Sequence, residues 1–352
     1  MTEQKTCIMC KSASLETLFP INKRIFQGCY PVPTPTHPCY DMPFNITSCN
    51  NCKTHQLKYF GDLSIIYDYQ AGFYGSIRSS MNDLFAKFVA TNSNINAILE
   101  VGAGHGALAQ NILAQKQVPY SVADPTYTGP ETNITVYRTF FEELDTTHLT
   151  NINTIVMSHI FEHFYDPIAI LQKIKASPVQ YCYLNFPDLE RFVKEDNYQV
   201  LTPEHIYYIE TNFLIQLFAY YGFELKNRYD HEKHSIFLEF HRSNTFLQIP
   251  FPINHTSQED IHGYLTRLED KINKICTMSD PIYIWPSSMH TIYLLAFNLP
   301  LEKIKAFIDN APHKIGQYLY GTGKKIIPFS EVPKGATVIL NGGCFNVELK
   351  DF

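Results

Sequence analysis

From Met81 onward, the apolar residues Leu84, Phe85, Phe88 and Val89 fall at the three-to-four spacing of one helix face. The run Ala97-Ile-Leu-Glu-Val101 follows and reads as a buried strand. Strand-like stretches recur at Tyr120–Ala123, Thr154–Met157 and Tyr181–Asn185, with helical segments such as Leu108–Leu113 between them. This alternation predicts an α/β architecture with a parallel, doubly wound sheet. Composition shifts near residue 245, through Gln248-Ile-Pro-Phe-Pro-Ile-Asn254. Beyond it, Ile261, Tyr264, Leu265, Leu268 and Ile272 mark a helix. The apolar runs Ile282–Trp285, Ile292–Leu295, Lys303–Ile308 and Thr337–Leu340 then predict a second, smaller α/β unit.

The first stretch, to Gly61, is different. Its run Tyr30-Pro-Val-Pro-Thr-Pro-Thr-His-Pro38 excludes regular helix and interior strand, so a loop-rich module needing a staple is expected. Cys7-Ile-Met-Cys10 and Cys49-Asn-Asn-Cys52 supply one, because four thiolates converging on a tetrahedron form a closed structural Zn²⁺ site. A closed site leaves no coordination position for a reacting water, which assigns it to folding. Cys29 and Cys39 lie between the pairs as substitute ligands, while Cys182, Cys276 and Cys344 read as ordinary buried cysteines.

Length and charge narrow the function. A chain of 352 residues implies two to three domains at ~100–200 residues each. Lys plus Arg total 28 against 34 Asp plus Glu, a net charge of −6 that offers no footprint for nucleic acid or an anionic membrane. Met1–Lys11 carries cysteines and polar residues where a secretory signal needs an apolar stretch, and no segment reaches the ~18 apolar residues of a membrane span. A cytoplasmic protein is expected, acting on a small molecule.

The candidate chemistry centres on Glu100-Val-Gly102-Ala-Gly104-His-Gly106, directly after the first strand and before a helix. Glycines there permit a tight turn and let a ligand touch the backbone. Dinucleotide enzymes use a similar turn, so the motif alone does not choose between ligands. Asp124, closing the next strand about 20 residues on, stands where an acid meets ribose hydroxyls. The acid before the first glycine and the Gly-x-Gly-x-Gly spacing resemble class I S-adenosylmethionine-dependent methyltransferases. Ser158-His159-Ile-Phe-Glu-His163-Phe-Tyr-Asp-Pro167 resembles the fourth-strand segment of that class, and Phe140-Phe-Glu-Glu-Leu144 its adenine-side segment. The resemblance implies cofactor contacts from Glu100, Gly102, Gly104, Gly106, Asp124, Phe140 and His159.

Taken with the cysteine module and the C-terminal unit, the layout is similar to that of the deoxysugar C-methyltransferases, which methylate carbon beside a keto group on a nucleotide-linked sugar. The resemblance divides the chain into a zinc module (1–66), a Rossmann-like methyltransferase domain (67–245) and a smaller Rossmann-like α/β domain (246–352). It rests on Tyr67-Asp-Tyr69, His163, Glu204-His205 within Thr202-Pro-Glu-His-Ile-Tyr-Tyr208, Asp309–Gly316 and Leu319–Thr322. It implies His205 as candidate base, with Glu204, His163 and Tyr69 beside it and a nucleotide sugar as substrate; the alternatives are an O- or N-methyltransferase of a sugar or other small molecule, and a degenerate, non-catalytic methyltransferase fold. Carbon methylation needs a base near neutral pH, which histidine provides. The chain departs from the family at Thr202-Pro203, where a tyrosine and a histidine are usual, and at Gln70-Ala-Gly72. Trp285-Pro-Ser-Ser-Met-His290 lacks the glycine that pyrophosphate binding needs. The C-terminal unit is therefore expected to wall the substrate cleft or to form a homodimer contact.

Overall fold

A computed structural model describes residues 1–19, 24–26, 30–67, 76–231, 235–243, 250–256, 258–279, 281–287, 289–297 and 299–341. Its centre is a seven-stranded sheet of β1 (Ile98–Val101), β2 (Tyr120–Ala123), β3 (Ile134–Tyr137), β4 (Thr154–Ser158), β5 (Tyr181–Pro187), β6 (Phe223–His231) and β7 (Ser235–Arg242), in the order β3-β2-β1-β4-β5-β7-β6. The first five run parallel; β7 enters antiparallel between β5 and β6. The sheet is mostly parallel, as the alternating pattern predicts. The hairpin β6–β7 is an addition to that pattern, because β6 is mostly exposed at the sheet edge and carries little apolar signal.

Alternate residues of the central strands feed two cores, as a period of two requires. Ile98, Val122, Val156 and Phe237 pack with Phe85 and Val89 of α1 (Ser76–Ala90) and with Leu108 and Ile112 of α2 (Ala107–Gln115). Leu99, Val101, Ile155 and Met157 point the other way, toward Ile170, Leu171 and Ile174 of α3 (Pro167–Ala176). Asp166 caps α3 by accepting from the Ala169 amide, with Pro167 in its first turn, so chain direction is set immediately after β4.

The amino-terminal region contains more strand than its prolines suggest. Leu15–Phe19, Ile46–Cys49 and His55–Leu57 form an antiparallel sheet whose fourth strand is Tyr207–Tyr208, paired to Gln56 and His55. A second bridge runs to the C-terminal unit. Pro31–Val32 pairs with Tyr318–Leu319, and the Tyr40 amide donates to the Tyr320 hydroxyl at 2.7 Å. That unit is a parallel sheet of β8 (Ile282–Trp285), β9 (Ile304–Ile308), β10 (Ile326–Ile327) and β11 (Thr337–Leu340), ordered β10-β9-β8-β11. One buried cluster runs from Cys7 and Phe44 through Phe161 and Phe213 to Ile284 and Phe297, so all three stretches of chain share it. Among the described residues no helix is long and apolar enough to cross a membrane.

Candidate functional site

The glycine loop closes against β1 in left-handed backbone: Gly102, Gly104 and Gly106 have φ of +71°, +55° and +72°. A Cβ on Gly102 would lie 2.8 Å from the Ile160 side chain, and one on Gly106 would lie 2.6 Å from the Tyr127 hydroxyl, so both positions require glycine on two counts. Asp124 closes β2 and organises the loop. Its Oδ2 accepts from the Gly104 amide at 2.7 Å, and its Oδ1 accepts from the Thr126 amide and hydroxyl at 2.7 and 3.0 Å. Glu100 is buried and accepts from the Tyr120 hydroxyl at 2.7 Å; burial pushes its carboxyl up to about 7. That carboxyl thus braces β1 against β2 from within.

Beyond β4 the chain makes a single 3₁₀ turn, Phe161–His163, seated on the glycine loop through Ile160 and Gly102. It brings His163 to Glu204 and His205, which lie just before the strand Tyr207–Tyr208. The Tyr67 hydroxyl and His163 Nδ1 share a hydrogen bond of 3.1 Å. Burial, with Glu204 nearby, holds that phenol well above its usual range, so it stays neutral. Phe140 flanks Tyr67, its ring centroid 6.3 Å from that of Tyr67. Tyr69 lies outside the described residues.

The His205 ring is pinned from behind. Its Nδ1 meets the Val200 carbonyl at 2.9 Å, an acceptor only, so Nδ1 carries the hydrogen and Nε2 is left as the basic atom. Nε2 faces Glu162 Oε1 at 3.8 Å. Glu162 is 1% exposed and also receives His159 Nδ1 at 3.2 Å, while His159 Nε2 meets Ser235 Oγ at 3.1 Å. Sequence reasoning passed over Glu162. The three-residue spacing from His159 is the signal that places both on one side of a turn. His159, read from the resemblance as a cofactor contact, has both ring nitrogens bonded within the protein.

A second cluster lies in the amino-terminal sheet. Cys7, Cys10, Cys49 and Cys52 are free thiols whose sulfurs all lie within 4.8 Å of one another, with Cys7–Cys52 and Cys10–Cys49 each at 3.5 Å. Both pairs sit on the same turn. The amide four residues on returns to the first cysteine carbonyl, Lys11 to Cys7 and Lys53 to Cys49, at φ of +59° and +58°. Zinc at ~2.3 Å from each sulfur needs edges of about 3.8 Å, which this set can adopt with small shifts. Cys39 is exposed and stands apart from the four; Cys182 is buried in the central core; Cys29 and Cys344 lie outside the described residues. In the C-terminal unit, the stretch after β8 has its Ser287 carbonyl occupied by Lys314 Nζ, itself paired with Asp309 at 2.7 Å.

Residues 74–227 match the family described as a methyltransferase domain. No curated protein matches the chain. Among solved structures, the methyltransferase domain of bacterial CtHen1-CN is 14% identical with a TM-score of 0.37, covering 46% of this chain and 98% of that one. The N-terminal domain of EvdMO1 with SAH bound is 15% identical with a TM-score of 0.35, at 46% and 81% coverage. The dimethyltransferase RosA from Streptomyces davawensis is 13% identical with a TM-score of 0.38, at 47% of this chain and 56% of that one. The family match, the strand order and the glycine loop define a class I methyltransferase domain. The protein is an enzyme of the S-adenosylmethionine-dependent methyltransferase class.

Proposed function

We propose that the enzyme methylates a small polar metabolite at a carbon beside a keto group, the acceptor being a nucleotide-linked deoxysugar, with His205 as proton acceptor. The observation that carries this reading is the Val200 carbonyl behind His205, which takes the Nδ1 hydrogen and so makes Nε2 the basic nitrogen of the ring. The donor supplies an electrophilic methyl group. The chain's own residues do the rest. Gly102, Gly104 and Gly106 allow close backbone approach, and Asp124 is positioned to accept from a ribose diol, since a carboxylate offers about four acceptor sites and three are taken. Phe140 offers a ring beside Tyr67. Tyr67 and Glu204 hold His163 beside the acceptor. Rate then depends mainly on aligning donor and acceptor. The four cysteines would hold a structural zinc ion.

The test uses candidate keto sugars in deuterium oxide with S-adenosylhomocysteine bound. A base acting at carbon exchanges the acceptor's α-hydrogen without methyl transfer, and His205→Ala abolishes that exchange. Methyl transfer that survives His205→Ala would point instead to an oxygen or nitrogen acceptor, for which orientation suffices.

A further inference from the structure

Three side chains from two distant segments converge in the site: Glu162 and His163 from the 3₁₀ turn after β4, and His205 from just before the strand Tyr207–Tyr208. Each offers one ligand atom, and these atoms all lie within 4.8 Å of one another, with Glu162 Oε1 3.8 Å from His205 Nε2. Two imidazoles and a carboxylate are a donor set for a borderline dication such as Zn²⁺, Co²⁺ or Ni²⁺, chemically unlike the four thiolates of the amino-terminal sheet. We propose that Glu162, His163 and His205 form a second metal site, which takes a divalent transition-metal ion and, when filled, blocks the base. The blocking rests on the reading of His205 as proton acceptor; the binding does not.

The cluster has the outer support of a metal centre. Ligating histidines are oriented by a hydrogen bond at their other ring nitrogen, and ligating carboxylates are held from behind. Here His205 Nδ1 is bonded to the Val200 carbonyl, His163 Nδ1 to the Tyr67 hydroxyl, and Glu162 to His159, which is anchored in turn on Ser235. Ligand atoms at ~2.1 Å from one ion stand about 3 Å apart, so even the widest pair closes by movements of about 1 Å from each side chain. Charge favours the ion as well. Glu162 supplies one negative charge within the set, and Glu204 Oε2, 3.9 Å from His163 Nδ1, adds another just outside it. His163 and His205 keep 12% and 15% of their side chains exposed, which gives an ion a way in from solvent. A histidine ligates through the same electron pair that takes a proton. An ion at His205 Nε2 replaces whatever hydrogen bond that nitrogen makes, so the site does not require an idle atom. With the pair committed to the metal, His205 accepts no proton from the acceptor carbon.

The experiment titrates Co²⁺ into the full chain whose four cysteines already hold zinc, followed by visible spectroscopy and by metal analysis after dialysis. Cobalt is expected to bind beside the retained zinc, with the weak bands of nitrogen and oxygen ligands and without thiolate charge transfer. Glu162→Gln and His163→Gln are each expected to weaken that binding by about tenfold or more. Calorimetry with S-adenosylmethionine checks the fold of each variant, and if one does not fold the other decides. Cobalt held as tightly by the folded variants, or spectra of thiolate ligation, overturns the site. For the blocking, diethyl pyrocarbonate attacks the electron pair of a neutral imidazole, and mass spectrometry reads the product at His205. Its rate of modification is expected to fall about tenfold or more once the cobalt site is filled. A His205 rate that is the same with and without cobalt overturns the blocking. Neither readout uses turnover, so a failed base reading shows separately, as α-hydrogen exchange that persists in His205→Ala.

Discussion

Replacing Glu100 with glutamine removes a buried ionisable group while leaving an oxygen to accept from Tyr120. In the folded chain burial raises this carboxyl from 4.5 to about 7. Below pH 4.5 both folded and unfolded forms carry the proton, and glutamine and the neutral acid should be nearly equivalent. As pH rises toward 7, the unfolded chain sheds a proton that the folded chain retains, so wild-type stability falls and then levels off. At ~1.4 kcal/mol for each tenfold in proton affinity, the loss reaches about 3 kcal/mol. With ~2.1 cal/mol/K of unfolding entropy per residue, this corresponds to about 4 °C in Tm for a chain of this length. Thermal denaturation of both proteins between pH 4.5 and 8 should show Glu100→Gln gaining on wild type across that window. A Tm difference that stays constant with pH would refute the reasoning and mean that Glu100 is ionised throughout.

Asp124→Ala should weaken S-adenosylmethionine binding by ~1–3 kcal/mol in calorimetry, the cost of losing a charged hydrogen-bond acceptor. Gly106→Ala should reduce donor binding and lower Tm, because its φ of +72° costs ~1 kcal/mol for alanine and the new methyl meets Tyr127. Cys49→Ser should cut zinc content by metal analysis. In the same variant, hydrogen exchange at Tyr207 and Tyr208 should quicken, since their strand is paired to the sheet that carries Cys49.

The periodic core of the fold was legible in the sequence. Ala97–Val101 and its glycine turn, the strands at Tyr120, Thr154 and Tyr181, and the paired cysteines all announce themselves locally. The structure adds elements whose cause is distant. Ile134–Tyr137 is short and half exposed, and it becomes a strand only because β2 lies beside it. Tyr207–Tyr208 has no strand signal of its own and is recruited by His55 and Gln56 from the start of the chain. In the site, Glu204-His205 could be singled out from the resemblance, but its meeting with Glu162 and His163 depends on how two distant segments fold together, and a linear spacing does not encode that.

The pairing of Tyr207–Tyr208 bears on how the protein can be cut or recombined. The Leu57 amide bonds to the Ile206 carbonyl at 2.9 Å, and Asn254 Nδ2 and its amide bond the carbonyls of Lys53 and Cys52. The peptide next to His205 is thus an edge strand laid onto someone else's sheet. An excised fragment spanning 74–227 would keep the glycine loop yet leave Ile206, Tyr207 and Tyr208, all buried here, against water with one ladder of backbone groups unpaired. Transplanting this domain into another chain therefore requires carrying its cysteine module along, even though the two meet at positions some 150 residues apart.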